Sequence, residues 1–247
     1  MKEKLYYDFH IHSCLSPCGD DDMTPQNIVG MARLKELDVI AVTDHNTCAN
    51  CGAVMEAAQG TGLLVLPGME LCTCEEIHVV CLFETLPNAE AFAAYVKAHT
   101  PAVANVPEIY GHQYRMDAND TVVEEEPLLL VIASHISVMD IAALMVRFEG
   151  VCFPAHVDKS SYSLLSSLGA VPPECGFSTA EISQPAKIDA LCAAHPLLSK
   201  MRIVTDSDAH YLWDISERYY CLEAERTVSS VLSALGGTHG TAHPKNN

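Results

Sequence analysis

"YYDFHIHSCLSPCGDDDMTP", residues 6–25, decides how the rest of the chain is read. Its apolar start predicts a strand over residues 6–11. That strand closes on His10-Ile11-His12, and three consecutive acids, Asp20 to Asp22, follow in the next loop. Side chains two apart on a strand point the same way, so His10 and His12 share a face. Two imidazoles on one face, with carboxylates in the following turn, suggest a positive centre between them. Thr24-Pro25 then supplies an N-cap and a proline at the first helical position, opening a helix to about residue 37.

The same unit recurs downstream. Short apolar strands are predicted over residues 39–42, 63–66, 78–83, 151–153, 180–182 and 203–205. Helices are predicted over 53–59, 88–99, 138–148, 186–194 and 228–235, the last stopped by Gly236-Gly237. Strands alternating with helices argue for an α/β fold with a parallel sheet. About seven such repeats in one domain argue for closure into a TIM-like barrel, and no glycine-rich nucleotide fingerprint follows any strand. Residues 100–127, "TPAVANVPEIYGHQYRMDANDTVVEEEP", are polar and turn-rich and read as an inserted loop or hairpin near the site. The expected organisation is one domain over 1–235, with a disordered tail over 236–247.

Composition narrows the function. At 247 residues and 49% apolar, the chain can bury a sizeable core. The opening "MKEKLYYDFH" lacks the apolar stretch of a secretory leader, and "PLLLVIA" from Pro127 is too short to span a bilayer, so a cytoplasmic, non-membrane protein is expected. A formal charge of −18 opposes extended binding to nucleic-acid backbone. It leaves room for a small phosphorylated substrate if cations reverse the sign locally. Eleven cysteines, an odd number, disfavour a disulfide framework.

In barrels, chemistry sits at the C-terminal ends of strands. The residues standing there or in the adjoining loops are His10 and His12, Asp20, His45 in "AVTDHN", Glu70 in "LPGME", His78 in "EEIHVV", His156 in "PAHVDK", and Asp208 with His210 in "DSDAH". Imidazole mixed with carboxylate suits Zn, Mn or Fe. Nine donors are too many for one ion and suit two or three, with one carboxylate bridging. Burying that many imidazoles without a metal would leave many polar groups unsatisfied.

These motifs together, from Asp8 to His210, resemble the PHP family, named for polymerase and histidinol phosphatase. The resemblance implies a distorted (β/α)7 TIM-like barrel and a metal-dependent phosphoesterase. It implies a first ion on His10, His12, Glu70 and Asp208, and a second on Glu70, His78 and His156. A third would sit on Asp20, His45 and His210, with Asp21 or Asp22 able to take the place of Asp20. Glu70 and Asp208 would be catalytic through the ions, and hydroxide held beside Glu70 would attack phosphorus in line. Asp44 and Asp206 read as carboxylates that support ligands or turns. Lys159 is expected to be catalytic as well and is the first choice for binding substrate phosphate, ahead of Arg147, Arg202 and Arg218. The expected substrate is a phosphomonoester or phosphodiester of a metabolite, a nucleotide or a short oligonucleotide end. The natural substrate and the oligomeric state are not legible.

Two other readings stay open. An amidohydrolase-like C–N bond hydrolase also begins with HxH on its first strand. A metal-storing or redox-sensing protein could use Cys48, Cys51, Cys72 and Cys74, four thiols that follow two of the ligand motifs. Core or loop thiols are the favoured reading of these four. Cys14 and Cys18 read either way.

Overall fold

A computed structural model describes residues 1–236; the expected tail lies outside the described residues save its first residue. Ten strands are described: β1 (Glu3–Ile11), β2 (Val39–Val42), β3 (Leu64–Cys72), β4 (His78–Phe83), β5 (Tyr114–Met116), β6 (Val122–Glu125), β7 (Gly150–Pro154), β8 (Thr179–Glu181), β9 (Arg202–Val204) and β10 (Cys221–Ala224). Six form one sheet in the order β10-β1-β2-β3-β4-β7, β8 and β9 form a parallel ribbon, and β5 and β6 a hairpin. The fold is mixed α/β with a curled, half-barrel sheet.

The pairing departs from a succession of parallel units. β1, β2 and β3 are parallel, as the apolar alternation predicts. β4 is antiparallel to both β3 and β7, and β10 is antiparallel to β1. β3 also runs further than expected. Pro67 and Gly68 do not end it, because β4 supplies an antiparallel partner and sets Glu70 opposite Val80. Gly68 allows that approach: a Cβ there would lie 2.8 Å from the Cys81 carbonyl oxygen.

Packing on both faces of the sheet explains the all-apolar β2, "VIAV", which is buried throughout. One face carries Leu5, Tyr7, Phe9, Val39, Ala41, Leu66, Val80 and Phe153. The other carries Ile11, Ile40, Val42, Val65 and Met69, covered by helices. Phe9 and Ile11 fall on different faces although they are two apart, and the β1–β2 register shifts between Asp8 and Ile11. That irregularity turns His10 and His12 towards the Phe9 side, at the strand end.

Helix Pro25–Leu34 starts as predicted, with Thr24 Oγ1 accepting from the Asn27 N–H. It stops before residue 37 because Glu36 takes a left-handed conformation, φ 55°. Residues 100–127 include the β5–β6 hairpin. Buried Asn50 ties it down: its Nδ2 donates to Ser13 Oγ (2.9 Å) and the Tyr114 carbonyl (3.0 Å), and its Oδ1 accepts from the Met116 N–H (2.9 Å). Among the described residues no helix is long and apolar enough to cross a membrane.

Candidate metal centre

Glu70 is the middle of the site. Its carboxylate is 1% exposed and is approached by five imidazoles: His78 Nδ1 at 2.9 Å, His45 Nδ1 at 3.0 Å, His10 Nε2 and His156 Nε2 at 3.2 Å, and His12 Nε2 at 3.4 Å. Asp208 Oδ1 closes the group, 3.2 Å from His12 Nε2 and 3.3 Å from His10 Nε2. These donors come from β1, β3, β4 and the loops after β2, β7 and β9. Local backbone shape helps: His156 and Asp208 have φ of 29° and 52°, uncommon values for residues other than glycine.

Proximity is not mutual satisfaction. Glu70 Oε2 and His45 Nδ1 lie 3.0 Å apart without hydrogen-bond alignment, and both are buried without a hydrogen-bond partner, as is His156 Nδ1. The Nε2 atoms of His10 and His12 face each other at 3.3 Å. Buried donors aimed at one another and left unpaired fit cations placed among them. Three donor groups are compact enough, with ligand atoms within 4.8 Å of one another: His10, His12, Glu70 and Asp208; His45, Glu70 and His78; and His12, Cys18, His45 and His210.

Charge follows the geometry. Burial works against protonating His10, but Glu70, Glu181 and Asp208 outweigh it and hold His10 well above the usual imidazole range. His12 and His45 are raised to about 9, again against burial, by Asp208 and Glu70 for His12 and by Glu70 for His45. Burial works to raise Glu70 and Asp208, yet His78, His10 and His45 pull Glu70 well down, and His10 and His12 pull Asp208 down. Burial, then the charge on His12, lowers His210 to about 4. Its Nδ1 contacts the Asp208 carbonyl at 2.7 Å, an atom that only accepts, so Nδ1 carries the proton and Nε2 a free lone pair.

The sequence-predicted residues divide as follows. His10, His12, His45, Glu70, His78, Asp208 and His210 enter donor groups; His156 Nε2 comes within 3.2 Å of Glu70 Oε1 but enters none, and His45 rather than His156 stands in the compact group with Glu70 and His78. Asp20 does not join a donor group: its Oδ1 accepts from the Asp22 N–H at 2.9 Å, and its N–H donates to the His210 carbonyl at 2.9 Å. The Cys18 thiol stands in the third group instead. Lys159 pairs with Asp208 Oδ2 at the mouth of the site and is held charged, against burial, by that carboxylate. Arg147 lies over the Tyr95 and Phe148 rings, Arg218 over Tyr6, and Arg202 opens β9 at the end away from Asp208. Asp44 accepts from the Ser13 N–H, Ser13 Oγ and Ser16 Oγ, each at 2.7 Å, and Asp206 from the Phe9 N–H at 2.6 Å. Both hold loops rather than entering a donor group.

Glu181, at the end of β8, escaped the sequence reading. It is fully buried and its Oε2 contacts His10 Nδ1 at 2.8 Å, which fixes the His10 proton on Nδ1 and frees Nε2 towards Glu70 and Asp208. A carboxylate ending a strand among strand-end ligands was the available signal. Cys48, Cys51, Cys72 and Cys74 form no donor group among the described residues. Burial raises Cys48 and Cys72 to about 12, and Cys51 donates to the Val42 and Gly68 carbonyls, as core thiols do.

Comparison with known proteins agrees with this architecture. Residues 8–149 match the PHP domain, and the chain belongs to that family. Over 83 residues it is 36% identical to the 5'-3' exoribonuclease Rnm of Salmonella typhimurium, a match covering 32% of this chain and 27% of that protein. The fold is similar to the lesion-specific endonuclease of Pyrococcus furiosus, with a TM-score of 0.69 at 17% identity, covering 96% of this chain and 57% of that one. It is also similar to a Bifidobacterium adolescentis protein described as a metal-dependent phosphoesterase, with a TM-score of 0.60 at 18% identity, covering 95% and 98% of the two chains. The chain thus spans just over a quarter of the exoribonuclease and just over half of the endonuclease.

Proposed function

We propose that this chain is a metal-dependent hydrolase of phosphoester bonds, acting on a small phosphorylated metabolite, a nucleotide or the end of a short oligonucleotide. The observation that carries the reading is the buried Glu70 carboxylate inside five imidazoles, with Asp208 beside them. His10, His12, Glu70 and Asp208 would hold one ion, and Glu70, His78 and His156 a second. His45 and His210 would belong to a third. The donor set suits Zn, Mn or Fe. Bound there, such ions supply Lewis acidity and a water of lowered pKa.

The protein's own part is positioning and charge. Glu181 orients the His10 ring. Asp208, fixed at an unusual φ, presents Oδ1 to His10 and His12 and Oδ2 to Lys159. Lys159 would turn its ammonium from Asp208 to an incoming phosphate oxygen and keep that oxygen's charge paired. A net charge of −18 disfavours long polyanions, so an end or a small ester fits better than continuous duplex. The exoribonuclease and the endonuclease among the similar proteins support nucleic-acid esters as the first substrates to try.

We take residues 1–235 as one such domain. Seven of its strands, β1 to β4 and β7 to β9, form a distorted barrel in this reading. Hydrogen bonds from Val157 N–H to the Glu181 carbonyl and from His12 N–H to the Ala209 carbonyl, each 2.9 Å, support closure. Eleven free thiols fit a reducing compartment such as the cytoplasm.

The test is a panel of nitrophenyl phosphates, nucleotides and 5'-phosphorylated oligonucleotides, with Mn, Zn and Fe supplied separately. Phosphoester cleavage that disappears in Glu70→Gln, with KM raised in Lys159→Met, is expected. Metal-loaded protein that cleaves no ester but releases ammonia from cyclic amides would move the function to C–N hydrolysis.

A further inference from the structure

We propose that the third ion is held by the thiolate of Cys18 with His45 and His210, in place of a carboxylate from the Asp20–Asp22 run. This rests on the metal-centre reading above. It makes one position of the centre soft, favouring Zn, Co or Fe over Mn or Mg.

The geometry is specific. Cys18 Sγ, the ring nitrogens of His45 and His210, and one of His12 lie within 4.8 Å of one another. His12 is committed elsewhere: its Nε2 faces Asp208 and His10, and its Nδ1 contacts Ser16 Oγ at 3.0 Å. His45, His210 and Cys18 remain, three donors with room for water or substrate at a fourth position. His210 presents the lone pair of Nε2, since its Nδ1 proton is held by the Asp208 carbonyl.

The loop is built to hold the thiol there. Ser16, Pro17, Cys18 and Gly19 form a tight turn, with the Gly19 N–H donating to the Ser16 carbonyl at 2.8 Å. Gly19 is required at its position: a Cβ would lie 2.4 Å from the Ser13 carbonyl oxygen. Asp44 anchors the same turn through Ser13 and Ser16. Asp20 stitches the loop to His210 through its backbone N–H, while its carboxylate closes a local turn on Asp22. Among the described residues no other cysteine enters a donor group. Cys18 is exposed, which leaves it open to an incoming ion. A thiolate carries the same charge as the carboxylate it replaces, so the charge balance of the centre is unchanged while its softness rises.

The experiment uses the full chain, stripped of metal and reloaded anaerobically with Co(II). The wild type is expected to take up three ions and to show a near-ultraviolet thiolate-to-cobalt charge-transfer band. Cys18→Ser should lose the band and one ion. Cys18→Asp should lose the band but keep three ions, with its Zn-over-Mn preference at the weakest position reduced about tenfold or more. Cys74→Ser, a substitution at an exposed cysteine outside every donor group, should keep both. Three bound ions without the band in the wild type, or a band that survives Cys18→Ser, would overturn the assignment and leave the metal centre standing. No cobalt uptake by folded wild-type protein would overturn both.

Discussion

Replacing Glu70 by Gln removes one negative charge from the centre of five imidazoles while nearly conserving shape. His45 is the cleanest reporter, because Glu70 is the carboxylate that raises it, while His12 also has Asp208 at 3.2 Å. Both partners are almost fully buried, so solvent screens little. At the 3.0 Å separation of His45 Nδ1 from Glu70 Oε2, a unit charge pair at an effective dielectric near 20 is worth about 5 kcal/mol, or roughly 4 pH units. The metal-free wild type holds His45 at about 9. Even half of the Coulomb figure takes the variant to roughly 7, and the whole of it to roughly 5. The assay is an NMR titration of the imidazole resonances in metal-free protein. A His45 that still titrates near 9 in Glu70→Gln would show that this carboxylate is not what organises the rings.

The same charges set the pH dependence of metal uptake. His12 and His45 are protonated below about 9 without metal and must lose the proton to donate a lone pair. Apparent affinity therefore rises with pH up to about 9, falls about tenfold per displaced proton for each unit below it, and loading at neutral pH acidifies a weakly buffered solution. A flat affinity between pH 6 and 9 would contradict this. Glu181→Leu strips His10 Nδ1 of its partner and should weaken metal binding by about 10- to 100-fold in a chelator competition, while Glu181→Gln, which still accepts a hydrogen bond, loses less. Asn50→Ala leaves the Met116 N–H without its partner and the Tyr114 carbonyl with only the Cys14 thiol, and should lower stability by about 1–3 kcal/mol in urea unfolding.

What the sequence made legible is what local pattern encodes. His10, His12, His45, Glu70, His78, His156, Asp208 and His210 all stand in or beside apolar strands, and chain chemistry of that kind survives without coordinates. Strand direction does not. β4 reads as apolar whichever way it runs, and its antiparallel pairing on β3 and β7 is a non-local choice. Pro67-Gly68 looked like the end of a strand because each weakens a strand interior, yet the partner across the sheet carries β3 on to Cys72. β10 was missed because only Leu222 and Ala224 of its four residues are buried, too short an alternation to see. Asp20 came from the family resemblance alone; its carboxylate instead accepts from the Asp22 N–H, a local turn that a run of three acids does not reveal.

The central claim is that these side chains surround ions. Crystals of metal-loaded protein, measured at the absorption edges of Mn and Zn, test it most directly. Three anomalous peaks are predicted: among His10, His12, Glu70 and Asp208; beside Glu70, His78 and His156; and beside Cys18, His45 and His210. Peaks confined to surface carboxylates, with none inside the ring of histidines around Glu70, would contradict it.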